Sequence, residues 1–316
     1  MTATERPNAR AVTGAANCVL EADESSAVVR LTGVLDAAGA EAVRLALLTR
    51  LADRPGPVVA DVTGLRVVDP TGRSVFAEVR REVADWPAAD LLLCDPAVAR
   101  PDHTDAARSA APTTTVEGQA ATTLAGDQAA SATAARNQAA SATAAGDRAE
   151  PTTVAGGRPE PTTVAGVPAW PTVDGALAAA AATPLAAVLT VDLAPTVGAA
   201  RQARELVTTG CRRWGTPTLI DPACIAITEM VNNVVAHART PMTVRLAPAD
   251  DTLHLAVRDH SPQLPTFAGL SPPDRAGGRG LLLIDTVARR WGSSAVGDGK
   301  VVWCVLHPDD EAAHLD

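Results

Sequence analysis

The chemistry in this chain concentrates in the stretch Ile227 to Ala238, ITEMVNNVVAHA. It puts Glu229, Asn233 and His237 at i, i+4 and i+8. On an α-helix four steps advance about 400°, so three such groups drift only slowly around one face. Ile225, Val231, Val234, Val235 and Ala238 supply apolar surface for the rest of that helix. A carboxylate and an amide on one stripe of an otherwise buried helix can hold a hydrated Mg²⁺ and orient a nucleophile. A plain solvated helix face has the same spacing, so the motif needs support from elsewhere in the chain.

Two further motifs supply it. VRDHSPQLP, Val257 to Pro265, follows the strand-like Leu253 to Val257 and puts Asp259 at a strand end leading into a Ser-Pro turn. A carboxylate there either caps the turn or accepts a hydrogen bond from an exocyclic amine such as that of adenine. AGGRGLLLIDTVARRWG, Ala276 to Gly292, opens an amphipathic helix with glycines. Bare backbone N–H groups and the positive helix end then face any bound phosphate, although glycines also serve as plain hinges.

In this order and spacing, the three elements resemble the ATP-binding signature of the GHKL superfamily. The resemblance is to anti-sigma-factor serine/threonine kinases and related ATP-binding regulators of actinobacteria. The shared pattern is Glu229, Asn233, His237, then Asp259, Ser261, Pro262, then GRGL from Gly278 to Leu281, with Arg279 and Gly280 between. RWG (Arg290 to Gly292) and GKVVWCVL (Gly299 to Leu306) complete it, and the whole covers roughly Ala187 to Pro308. The resemblance implies ATP and Mg²⁺ as cofactors, with Asn233 on Mg²⁺ and Asp259 on adenine. It implies that Gly278 and Gly280 contact phosphates within the GRGL turn and that Glu229 is the general base. The chain departs from the pattern in Val234, where Ala is usual, in Ser261-Pro262 in place of a second glycine-rich turn, and in a short lid, Ser271 to Gly277.

Composition frames these motifs. A chain of 316 residues is expected to form two domains. A net charge of −9 argues against a nucleic-acid-binding surface. No apolar run or signal-like N-terminus is evident, so no membrane partner and a cytoplasmic location are expected. Five scattered cysteines, Cys18, Cys94, Cys211, Cys224 and Cys304, read as buried free thiols.

The N-terminal part must supply a second domain. Strands at Ala27 to Leu31, Val58 to Val62 and Leu91 to Cys94 alternate with helices at Ala37 to Leu51, capped by Asp36, and at Thr71 to Val83. That alternation predicts a mostly parallel, helix-covered sheet. LTGVLD, DVTGL, VVDPTG and LLLCDPAVAR resemble a STAS domain, the fold of anti-sigma-factor antagonists. The STAS switch is a Ser or Thr directly after an Asp. Here Pro70 follows Asp69, so the usual acceptor has no hydroxyl, and Thr71 is either a substitute acceptor or an ordinary helix-start residue.

Between Pro101 and Gly166 bulky apolar residues nearly vanish. QAASATAA recurs at Gln128 and Gln138, and PTTVAG at Pro151 and Pro161. Such a segment cannot offset its ordering entropy and is expected to be disordered. VPAWPTVDGALAAAAA, Val167 to Ala182, looks like the closing strand and helix of the STAS domain, which makes the low-complexity segment an insert within it; the competing reading is a linker helix leading into the ATP-binding domain.

The resulting expectation is an α/β and α+β chain of two domains: a STAS-like helix-covered sheet followed by a GHKL α/β sandwich. Its boundaries are a disordered tail 1–15, the STAS-like domain 16–100 plus 167–182, the insert 101–166, the ATPase domain 183–309 and a tail 310–316. The expected function is ATP-dependent control of a sigma factor by partner switching, with Ser/Thr phosphorylation of a separate STAS antagonist. The alternative is a non-catalytic ATP-binding scaffold. Partners are the sigma factor or the antagonist, and a homodimer stays among the options.

Overall fold

A computed structural model describes residues 12–13, 18–22, 26–68, 70–99, 161–182, 187–265 and 279–309. Most of the expected insert, the lid stretch, Gly278 and Asp69 therefore lie outside the described residues.

The N-terminal sheet contains β1 (Val12–Thr13), β2 (Cys18–Ala22), β3 (Val28–Leu35), β4 (Val58–Val67), β5 (Leu91–Cys94), β6 (Thr162–Val164) and β7 (Val167–Trp170). Its order is β1-β2-β3-β4-β5-β7-β6. The centre, β3-β4-β5-β7, is parallel, and the edges are antiparallel hairpins. Parallel neighbours need crossover helices. These are α1 (Ala37–Asp53) after β3 and α2 (Ser74–Glu82) after β4. Asp36 caps α1 as expected, its side chain accepting from Gly39 N at 2.8 Å. α1 and α2 cover one face, packing Leu47, Leu51, Val75 and Val79 on Leu31, Val58 and Ala60. α3 (Val173–Ala181) covers the other, packing Ala176 and Ala180 on Val59, Leu92 and Trp170. The segment from Val167 thus returns to the sheet beside β5, across the low-complexity residues.

Two boundaries differ from expectation. Val12–Thr13, placed in a disordered tail, pair with Val19–Leu20. The second PTTVAG copy, assigned to the insert, forms β6 and a turn into β7 through Ala165 and Gly166, both at positive φ. Thr and Val favour strands, and Ala-Gly accepts the left-handed turn that a two-residue hairpin needs. The first PTTVAG copy lies outside the described residues.

The C-terminal sheet is antiparallel throughout, in the order β11 (Arg290–Val296), β12 (Gly299–Leu306), β10 (Thr252–Asp259), β9 (Met242–Ala249), β8 (Leu189–Leu193). One face takes α4 (Ala199–Trp214), α5 (Ile220–Asn233) and α6 (Arg279–Val287), which bury Val244, Leu255, Val257, Val302 and Cys304. The helical stretch Pro217–Ala238 is long and apolar enough to cross a membrane, but 44% of its apolar window is already buried in this core. Among the described residues all five cysteines are free, and burial pushes the Cys304 thiol up to about 12.

The opposite face of this sheet is covered by the N-terminal domain. Ala256, Val296 and Val301 belong to the same apolar cluster as Leu47 and Leu51, with Trp303 against it. A polar seam rims that contact. Arg245, 6% exposed, donates to the carbonyls of Leu51 at 3.4 Å, Ala52 at 3.1 Å and Arg54 at 3.4 Å, where α1 ends. A cation is favoured there because the last carbonyls of a helix lack partners and carry partial negative charge. Burial pushes the Arg245 guanidinium down to about 10, against Asp53 and Asp192, so it stays charged at neutral pH. Arg258 pairs with Asp53 at 3.3 Å, Arg290 with Asp85 at 2.7 Å, and Gly297 N donates to Thr49 Oγ1 at 2.7 Å. His254 Nδ1 donates to the Asp85 carbonyl at 3.0 Å.

Two predictions follow from this seam. Arg245→Met strands carbonyls of Leu51 and Ala52 and should lower unfolding free energy by about 1–3 kcal/mol, whereas Arg201→Met, which breaks an exposed pair with Glu205, should cost under about 1 kcal/mol. Denaturant titration of the full chain checks both. Burial lowers the His254 pKa below its ordinary 6.5. The unfolded chain then binds a proton that the folded chain refuses, so the neutral His254 stabilises the fold above about pH 6.5 and that contribution is lost as pH falls through the lower folded value. His254→Gln should flatten the fall in melting temperature between pH 7 and 5.

Candidate nucleotide site

α5 carries the first two candidate residues. It buries Ala223, Ala226, Ile227, Met230 and Val231, which leaves Glu229 and Asn233 half-buried and one turn apart. The helix then widens. Val234–Ala238 form a π turn in which Arg239 N donates to Val234 O at 2.7 Å, and Arg239 closes it at φ 54°. A π turn holds more residues than an α turn, so four steps from Asn233 no longer return to its stripe. His237, expected on that stripe, is exposed instead. This corrects the sequence expectation of one regular helix.

α6 begins at Arg279, and Leu281 and Ile284 bury its inner face beside α5. Gly280 permits a close approach. A Cβ there would lie 2.6 Å from Glu229 Oε2, so any side chain would push the end of the carboxylate aside. Nothing is described of Gly278 or of the Arg279 side chain.

Asp259 ends β10 and is fully buried. It shares the helix-covered face with Leu255 and Val257, because side chains alternate along a strand. Its Oδ1 accepts from Ser261 N at 2.8 Å and from Lys300 Nζ at 2.9 Å. Lys300 stands opposite Asp259 in the β10–β12 register and also donates to Ser261 O at 3.3 Å. Nζ lies 2.9 Å from Oδ2 as well, yet the angles leave Oδ2 without a hydrogen bond. No sequence motif singles out Lys300. The only signal was a charge heading the apolar strand GKVVWCVL, and only its register brings it to Asp259.

The structure therefore joins Glu229 to Gly280, and Asp259 to Ser261 and Lys300. These residues fit the expected ligands. The buried Oδ2, without a hydrogen bond although Lys300 stands beside it, suits an amine donor, and the bare backbone of Gly280 near the start of α6 suits a phosphate. Among the described residues no three His, Cys, Asp or Glu cluster as a metal site. Mg²⁺ does not require one, since it keeps waters and takes substrate phosphates with one or two protein oxygens.

Residues 193–306 match the family described as Histidine kinase-like ATPase domain, and residues 18–86 match the one described as Mlab, STAS domain. The chain thus joins a STAS-like domain to a histidine-kinase-like ATPase domain, and the latter implies ATP binding. A similar solved structure is that of the RsbU and RsbW domains of Rv1364c from Mycobacterium tuberculosis, 20% identical over 38% of this chain, with a TM-score of 0.30. The chain spans 31% of that structure's length. No curated protein matches.

Gly280→Ala tests the close approach. The added methyl displaces the flexible end of Glu229 while Ala gains about 1 kcal/mol of helix propensity over Gly, so net stability should change by less than about 1 kcal/mol. Mg-ATP affinity should nonetheless fall several-fold, measured by titration calorimetry.

Proposed function

We propose that this chain is an ATP-binding regulator of the partner-switching kind that phosphorylates a Ser or Thr of a separate STAS antagonist and so controls a sigma factor. The observation that carries this is the meeting of Glu229 with Gly280 at the start of α6, on the same sheet face as the buried Asp259. Asp259 reads the base, and the α6 start holds the phosphates. The antagonist hydroxyl attacks the γ-phosphorus, its proton passes to Glu229, and the bond to the ADP oxygen breaks. Asn233, one turn from Glu229, would hold Mg²⁺, which neutralises phosphate charge when bound.

The built-in STAS-like domain is not the substrate in this proposal. It meets the ATPase sheet through the ends of its helices at Thr49 to Arg54 and at Asp85, on the face away from Asp259. Pro70 opens the turn before α2, at the other end of that nine-residue helix, roughly 13 Å of helix away. The same arrangement favours the second proposal, a non-catalytic ATP-binding scaffold whose own STAS-like domain is a fixed part.

Labelling with γ-phosphate separates the two. The first expects transfer from Mg-ATP to an added STAS antagonist and a loss of about a hundredfold or more in Glu229→Ala. It also expects no label on the chain itself, Thr71 included. Mg-ATP binding seen as a rise in melting temperature, with no transfer to any antagonist, selects the scaffold.

A further inference from the structure

The pair Asp259–Lys300 poses a problem for the carboxylate's proposed task. Both side chains are buried, at 0% and 9% exposure, on the helix-covered face of neighbouring strands. The ammonium sits 2.9 Å from each carboxylate oxygen, in front of the group that a base would have to reach. An exocyclic amine carries no charge, so against the carboxylate it makes a hydrogen bond without the ion-pair attraction that the ammonium adds. The amine therefore competes poorly for Asp259 while Nζ stays in place. Ser261 O, to which Nζ already donates at 3.3 Å, would keep the ammonium partnered if it moved off the carboxylate. The free lone pairs of Oδ2 mark where a donor would enter once the ammonium moves aside.

We propose that Lys300 is a latch on the base-reading carboxylate: its ammonium occupies Asp259 and must swing toward the Ser261 carbonyl before an adenine amine can bind. The proposal rests on the assignment of Asp259 to base recognition. It makes Lys300 a residue that sets nucleotide affinity from beside the base, and it gives the chain a closed state that depends on no second protein.

The test compares the full chain with Lys300→Gln and Lys300→Thr by titration calorimetry against Mg-ATP and against Mg-tripolyphosphate, a probe with no base. Lys300→Gln keeps donors for Asp259 and Ser261 while removing the charge, which guards against misfolding. Thermal melting without ligand confirms that each variant is folded. The latch predicts that both variants bind Mg-ATP roughly tenfold more tightly than the parent, with tripolyphosphate affinity unchanged. Unchanged Mg-ATP affinity in a folded variant overturns it. Weaker Mg-ATP binding also overturns it and makes Lys300 a second donor to the base. If neither parent nor variants bind either probe, the assignment of a nucleotide site falls and the latch with it.

Discussion

A buried guanidinium needs acceptors, and Arg245 finds its acceptors on another domain. Its strand places it on the outer face of the ATPase-like sheet, where water would otherwise have solvated it. Instead the carbonyls that end α1 surround it, and the apolar residues Ala256, Val296 and Val301 join the apolar cluster of the STAS-like domain beside it. Leaving such a cation unpaired in the interior would cost several kcal/mol. That constraint ties the two domains together. A shift of α1 along the sheet would strand the charge and the helix carbonyls together.

The division of the sheet into two faces organises everything else. Residues of one parity, Leu255, Val257 and Asp259 on β10, face the helices. Those of the other, His254, Ala256 and Arg258, face the STAS-like domain. Arg258 joins the two sides at the site's edge. Its guanidinium donates to the Asp259 carbonyl and pairs with Asp298 and with Asp53 of α1. Asp298 in turn bonds His260 at 3.0 Å, and burial raises while the His260 and Arg258 contacts lower its carboxyl, with a net fall below the usual range. The strand end that presents Asp259 is thus held from behind by the docked domain.

The STAS-like domain is held against the ATPase-like sheet by apolar and polar contacts together. It is docked through the ends of helices, not through the turn at Pro70. Proline at that turn removes the hydroxyl, and the docking keeps the turn away from the sheet it rests on.

Much of the fold was legible in the residues themselves. The strand–helix alternation from Val28 to Cys94 and the Asp36 cap are local signals, set by periodicity and by one side chain reaching one backbone N–H. Glu229 and Asn233 on one turn, and Asp259 at a strand end, are equally local. Other features depended on neighbours distant in sequence. Arg245 on β9 and Arg258 on β10 stand on the sheet face away from the helices, and only the arrival of α1 buries them. The π turn that moves His237 out of line comes from the widened backbone after Asn233, which a regular 3.6-residue period does not anticipate. The second PTTVAG copy becomes β6 because β7 lies beside it to pair with. Lys300 meets Asp259 only through the register of β12 on β10, a contact spanning 41 residues that no local pattern encodes.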